Sequence, residues 1–397
     1  MPLRSLKSWL MPVISQLFLS RARLLKQRMR AEKKRQSQGR PHTLYFFHQE
    51  DDPYSQLLAT VLPSIQSRFS VTVETHWVSP PEDSAVPERA LLKAYSEQDA
   101  LRLAERFQIQ GTFKASAVQP HLGSTRSSNE SDALRKKWGH YLGATIYYEG
   151  EWYWGIDRLH HLEARLNDLG LCKSTYDGPL FPAAQYKPLR HAPQGTYIDF
   201  FISLRSPYSA ISAAKVFHWA REAGVQVNLR YVLPMVMRGL PVPAEKRRYI
   251  SLDAAREAYV QGVPFGCLND PVGKPTERGL ALMPFAEMHN AAEAYVMSFM
   301  QGVWSEGLDA GTDAHLKIMV ERAGLNWTAA KDILKSKSND LHWRSIAEQN
   351  RQALFALGLW GVPSFRFENT AAWGQDRFWV IENALHDELN SSTTSST

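Results

Sequence analysis

Apolar residues alternate over some stretches of the chain and recur at helical spacing over others, and one order of these patterns occurs twice. Thr43-Leu-Tyr-Phe-Phe47 reads as a buried strand, Asp52-Pro53-Tyr54-Ser55 as a polar turn, Leu57 to Phe69 as a helix and Val71 to Val78 as a second strand. Farther on, Thr196 to Phe201, Ser206-Pro207-Tyr208-Ser209, Ala210 to Ala223 and Val225 to Val232 follow the same order with the same Pro-Tyr-Ser tripeptide. The match resumes downstream. Leu142-Gly143-Ala144-Thr145 and Trp154-Gly155-Ile156-Asp157-Arg158 correspond to Trp360-Gly361-Val362-Pro363 and Trp373-Gly374-Gln375-Asp376-Arg377. Each half therefore predicts β-α-β, a helical middle, a β-hairpin and a last helix, and the ordered recurrence reads as a tandem duplication. The helical middles are unequal, about 87–138 with a low-complexity loop at 123–131, and about 234–357. Domains are expected at 41–175 and 196–389, joined by a Pro/Gly-bearing linker at 176–195. A basic segment at 1–40, amphipathic or disordered, precedes them, and a disordered Ser/Thr tail at 390–397 follows.

Composition narrows the chemistry. With 44% hydrophobic and 22% charged residues, the 397-residue chain is an ordinary globular one. Its two cysteines, Cys172 and Cys267, form no C-x-x-C pair, which excludes an intrinsic dithiol centre, and Cys267 is expected to be a buried, inert thiol. His48, His76, His160, His161 and His289 show no metal-ligand spacing, so no metal is expected, and His160-His161 is placed at the surface. Charge is divided unevenly: residues 1–40 hold eleven Lys/Arg against Glu32 alone, a net +10 that leaves the remainder at −4. A nucleic-acid partner is therefore not expected. The basic segment carries Leu3, Leu6, Leu10, Val13, Ile14 and Leu17 at helical spacing, interrupted by Pro12. It lacks a cleavage site and reads either as a solvated, partly disordered leader or as a membrane-surface helix. The location expected is cytoplasmic, with peripheral contact at the inner membrane surface through residues 1–40.

The second half looks like a known family. Phe200-Phe201-Ile-Ser-Leu-Arg-Ser206-Pro207-Tyr208-Ser209, Gly361-Val362-Pro363-Ser364-Phe365 and Trp373-Gly374-Gln375-Asp376-Arg377 resemble 2-hydroxychromene-2-carboxylate isomerases and kappa-class glutathione transferases, relatives of the DsbA-type oxidoreductases. Lys246-Arg247-Arg248-Tyr249, Gly262-Val263-Pro264-Phe265 and Trp304-Ser-Glu-Gly307 add family-like segments, and the resemblance covers about Thr196 to Leu385. It implies an α/β fold of two tandem thioredoxin-like (DsbA-like) domains, each with an inserted helical segment, the first copy degenerate.

Ser206 before Pro207 suits an N-cap followed by the first helical position, and a helix N-terminus favours a bound anion. The resemblance implies that this anion is the thiolate of glutathione as cofactor, with Ser206 hydrogen-bonding its sulfur as the catalytic residue and Pro207 and Tyr208 beside it. It further implies that Pro363 is cis, that Val362 pairs with the tripeptide backbone, and that Gln375 and Asp376 face the γ-glutamyl end. Arg377 is read as structural. Ser206 and Ser209 stand where a DsbA-type turn carries two cysteines, so disulfide exchange through this turn is not expected. In the first half Asp52, Thr145 and Ile156 stand where Ser206, Pro363 and Gln375 stand, and a carboxylate at the turn would repel a thiolate. That half is read as an intramolecular pseudo-dimer partner. The function implied is a glutathione-dependent isomerase or transferase acting on a small, aromatic or conjugated molecule. Arg205 departs from the small or apolar residue of the family and puts the aromatic substrate in doubt. The alternative is a non-catalytic thioredoxin-like module that binds a peptide or protein.

Overall fold

A computed structural model describes residues 3–114, 127–186 and 192–394. Part of the low-complexity loop and part of the linker lie outside them. Two compact units emerge, neither continuous in sequence: Leu24–Ala183 with Pro241–Tyr249, and Met1–Arg23 with Ala184–Leu240 and Ile250–Thr397. In order the chain forms α1 (Leu3–Leu19), α2 (Arg21–Ser37), β1 (Thr43–His48), α3 (Pro53–Arg68), β2 (Thr72–Trp77), α4 (Arg89–Arg106), α5 (Ser128–Trp138), β3 (Thr145–Tyr148), β4 (Glu151–Trp154) and α6 (Leu159–Asp168). It continues with β5 (Tyr197–Ile202), α7 (Pro207–Ala223), β6 (Gln226–Tyr231), α8 (Ala244–Gln261), α9 (Lys274–Ala281), α10 (Met283–Met288), α11 (Ala292–Trp304), α12 (Asp313–Arg322), α13 (Trp327–Ile333), α14 (Lys337–Ala356), β7 (Ser364–Phe367), β8 (Thr370–Trp373) and α15 (Phe378–Thr394).

The unit built on residues 24–183 holds a four-stranded sheet in the order β2-β1-β3-β4. β1 and β2 run parallel, with Phe46 opposite Thr75, as α3 between them requires; β3 is antiparallel to β1 and turns back as β4. Leu44, Phe46 and Phe47 of β1 are fully buried, as are Leu58 and Ile65 of α3, so the central strand is apolar on both faces. The basic helix α2 belongs here: Arg28 pairs with Glu151 at 2.6 Å, and Arg40 beyond its end binds Glu149. Residues 3–19 and 21–37 are thus helical, and Pro12 lies inside α1 without ending it. His161 is not at the surface. It is buried on the face of α6 that it shares with the buried Arg165, away from Leu159, Leu162 and Leu166.

Two titratable groups of this unit act in opposite senses. Burial pushes the His48 imidazole, packed against Trp77, down to about 4 from 6.5. Desolvation pushes the Asp52 carboxyl up to about 6 from 3.8, against hydrogen bonds from Ser55 and the Tyr54 and Ser55 N–H groups. Between pH 6.5 and 4 the unfolded chain takes up a proton at His48 that the folded chain refuses, so acid destabilises. Between pH 6 and 3.8 folded Asp52 keeps a proton that the unfolded chain has lost, so acid stabilises. In urea unfolding at pH 7 and pH 4, Asp52→Asn should lose about 3 kcal/mol more than wild type on acidification, and His48→Phe about 3 kcal/mol less. Variant-to-wild-type differences that do not change with pH would refute both assignments.

The other unit repeats the sheet pattern, in the order β6-β5-β7-β8, with β5 and β6 parallel and β7 and β8 an antiparallel hairpin. Phe200 of β5 lies opposite Leu229 and Phe365 and stacks on the Phe365 ring at 5.0 Å. The helical middle between β6 and β7 joins this core through Phe299, Met319 and Trp343, all fully buried. α15 runs to Thr394, through most of the Ser/Thr segment expected to be disordered, and residues 395–397 lie outside the described ones.

Candidate active site

α7 begins where β5 ends, and the local sequence dictates how. Ser206 sits in extended backbone and its Oγ accepts from Ser209 N at 3.1 Å, while Pro207 occupies the first helical position, where no N–H is needed. Ser209 is fully buried, and its Oγ accepts from Ser203 N at 3.4 Å, fastening the turn to the end of β5. Ser206 itself remains partly exposed. Its Oγ also lies 3.3 Å from the carbonyl oxygen of Val362, to which it donates. The Val362–Pro363 peptide is cis, as expected, and the Pro363 carbonyl accepts from Gly374 N at 3.0 Å. Gly361 makes this approach feasible: a Cβ there would lie 2.3 Å from Trp373 Nε1, and the Trp373 ring packs on Trp360.

Around this turn the structure gathers a polar network. The Tyr208 hydroxyl donates to Asp253 Oδ2 at 2.8 Å, and Asp253 pairs with Arg256 at 2.6 Å, both carboxylate and guanidinium being buried. One turn farther along α8, Glu257 Oε2 accepts from Gln375 Nε2 at 2.9 Å, and Gln261 Nε2 donates to Gln375 Oε1 at 3.0 Å. The Gln375 side chain is therefore buried and engaged at both ends. Asp376 stays partly exposed beside Arg377 Nη1 at 3.2 Å. On the other flank Arg205 makes a bidentate pair with Asp270, at 2.7 Å for both contacts. The loop carrying Asp270 is in turn held by α1: Asp270 N donates to Met11 Sδ at 3.2 Å, and Ser15 Oγ accepts from Leu268 N at 3.0 Å. Phe265 stacks on the buried Trp304 at 5.7 Å, and Phe265 and Tyr208 both pack on the cluster of Ile211, Ala254 and Ala258. Cys267 is partly exposed, and desolvation raises its pKa, which keeps the thiol protonated and unreactive.

A family model for the DsbA-like thioredoxin domain matches residues 197–386. Those residues are a DsbA-like thioredoxin domain. Its curated relatives include 2-hydroxychromene-2-carboxylate isomerases of Sphingobium xenophagum, 24% identical over 198 residues (48% of this chain, 98% of that protein), and of Pseudomonas putida, 21% identical over 196 residues (47% and 93%). A solved structure of a 2-hydroxychromene-2-carboxylate isomerase is similar at 20% identity and a TM-score of 0.44, covering 51% of this chain and all of that one.

Within the DsbA-like domain, Ser206, Pro207, Val362 and Pro363 come together, and Tyr208 turns its hydroxyl toward α8. Sequence reasoning missed Asp253, Arg256, Glu257 and Gln261. Their spacing of three, four and eight from Asp253 puts them on one face of α8, beside the small Ala254 and Ala258. A polar stripe lined by alanines was the available signal.

The first unit's turn is built differently on the same plan. Asp52 caps α3, accepting from Tyr54 N at 3.3 Å and Ser55 N at 3.1 Å, and Ser55 Oγ donates to it at 2.8 Å. Ser55 Oγ also accepts from Ala144 N at 2.7 Å, drawing the segment before Thr145 onto the turn. Among the described residues, Val362–Pro363 is the cis peptide bond, and Thr145 has no counterpart to it.

Proposed function

We propose that this chain is an enzyme that isomerises, or transfers glutathione to, a small conjugated substrate, with glutathione bound at the N-terminus of α7. The carrying observation is the convergence of the Ser206 hydroxyl, a 17-residue helix's N-terminus and the Val362 carbonyl at one partly exposed point. Such a point favours an anion and offers backbone pairing beside it. The residues fit the group: Ser206 would donate to the sulfur in place of the Val362 carbonyl, Val362 would pair with the tripeptide backbone, and Asp376 would face the ammonium. Because the Gln375 side chain is engaged by Glu257 and Gln261, it positions the 374–377 corner, and backbone N–H groups there would meet the ligand's carboxylate. When bound, glutathione supplies a nucleophilic thiol. The chain holds that thiol ionised, excludes water with Phe265 and Trp304, and orients the substrate against them. Serines at 206 and 209 leave no protein thiol for disulfide exchange in this turn.

Calorimetric titration of the full chain with glutathione, beside ultraviolet titration of the thiolate, tests this reading. Saturable binding is expected, with the bound thiol ionising well below the roughly 8.5 of a free cysteine thiol. No heat and no thiolate near neutral pH would replace the enzyme with a thioredoxin-like module that binds a peptide or protein.

A further inference from the structure

α1 has two faces, and the protein covers one. Met11, Pro12, Ser15 and Leu19 are seated on the 266–270 loop and on Gly307: Ser15 is buried against Leu268, Pro12 lies where any side chain at Gly307 would strike it, and Leu19 touches the position of a Gly266 side chain. The opposite face carries Trp9, Leu10, Val13, Ile14 and Leu17, exposed at 72%, 36%, 55%, 59% and 67%. At about 100° per residue these five span an arc of about 140° on one side of the helix. No charged residue occurs between Lys7 and Arg21. A stripe of this size, held out from a docked helix, is a contact surface and not an accident of packing.

Charge identifies what it contacts. Directly after α1 comes a run of eight Lys/Arg between Arg21 and Arg35 with Glu32 as its single acid. Some are committed inside the protein, Arg28 to Glu151 and Arg35 to Glu32. Lys26, Arg30, Lys33 and Lys34 are exposed, and Leu25 and Met29 are exposed among them at 41% and 66%. Apolar chains interleaved with cations of one sign match a surface that is apolar within and anionic at its rim. A second copy of the chain would bring two such basic runs together and be repelled. We infer that α1 docks on an anionic lipid bilayer through Trp9, Val13 and Leu17, the basic run that follows it in the sequence supplying the attraction to anionic headgroups.

The test is sedimentation of the full chain with vesicles of phosphatidylcholine alone or containing about 30 mol% phosphatidylserine. Partition onto the anionic vesicles should exceed that onto the neutral ones by roughly tenfold or more and fall as salt rises. The variant Trp9→Gln/Val13→Gln/Leu17→Gln should partition at least about tenfold less, with a nearly unchanged melting temperature because the three side chains are mostly exposed. An independent variant, Lys26→Gln/Arg30→Gln/Lys33→Gln/Lys34→Gln, should lose the preference for anionic vesicles while keeping the residual binding to neutral ones. Equal partition of wild type and the apolar variant would overturn the proposal. So would stripe-dependent self-association in light scattering without vesicles, which would assign the face to a second copy.

Discussion

Ser206→Ala and Ser206→Asp should separate the two tasks of one hydroxyl. Alanine removes the N-cap of α7, a loss of about 1 kcal/mol, and, in the proposed glutathione complex, a hydrogen bond to a charged sulfur worth about 1.5–3 kcal/mol. Glutathione-dependent turnover should then fall roughly tenfold to a hundredfold, and the bound thiol should ionise one to two pH units higher, by about the same free energy. Aspartate caps a helix as well as serine does. The first unit already shows it, with Asp52 accepting from both Tyr54 N and Ser55 N at the head of α3. Ser206→Asp should therefore unfold in urea close to wild type while showing no bound thiolate, because its carboxylate repels one. Thermal and urea unfolding with ultraviolet thiolate titration on the three proteins decide the matter. A Ser206→Asp protein that still holds a thiolate at neutral pH would remove the Ser206 hydroxyl from the proposed chemistry.

Asp253→Ala should be the most damaging single change near the site. It takes a buried carboxylate from the buried Arg256 guanidinium and from the Tyr208 hydroxyl together, and breaking such a pair costs about 3–5 kcal/mol. Tyr208→Phe removes only a hydroxyl and should cost about 1 kcal/mol. In a domain of this size the first loss corresponds to a melting temperature lower by roughly 6–20 °C. Differential scanning calorimetry of the two variants checks the ratio. Equal, small losses would mean that water reaches the pair and that the network does not hold Tyr208 in place.

The sheets and the turn were legible because each rests on a local signal. Apolar runs such as Thr43 to Phe47 and Tyr197 to Ile202 can only be central strands, and Ser-Pro at a strand end can scarcely be anything but a helix start. The resemblance carried by Gly361-Val362-Pro363 before a strand implied the cis bond. What stayed hidden depends on partners distant in sequence. The polar stripe of α8 gains meaning only when Tyr208 and Gln375 arrive beside it, 45 and 114 or more residues away along the chain. His161 looked like a surface residue because a His-His pair is polar, yet it shares its face of α6 with the buried Arg165, on a side away from Leu162 and Leu166 that is covered as well. Pro12 suggested a break in α1, whereas the helix continues through it and its ring is a docking group against Gly307.

The seat of α1 also sets an order of events during synthesis. Leu268, whose backbone Ser15 binds, leaves the ribosome 253 residues after it. At about 5–20 residues per second that interval is roughly 10–50 s. Throughout it both faces of α1 are uncovered, the one that will dock and the one that will not. Residues 24–183, most of the other unit, emerge within the interval and can collapse first. The domain that contains α1 therefore cannot complete its seat until Leu268 has emerged, and any nascent chain halted before that point presents α1 to its surroundings as an amphipathic helix without a home.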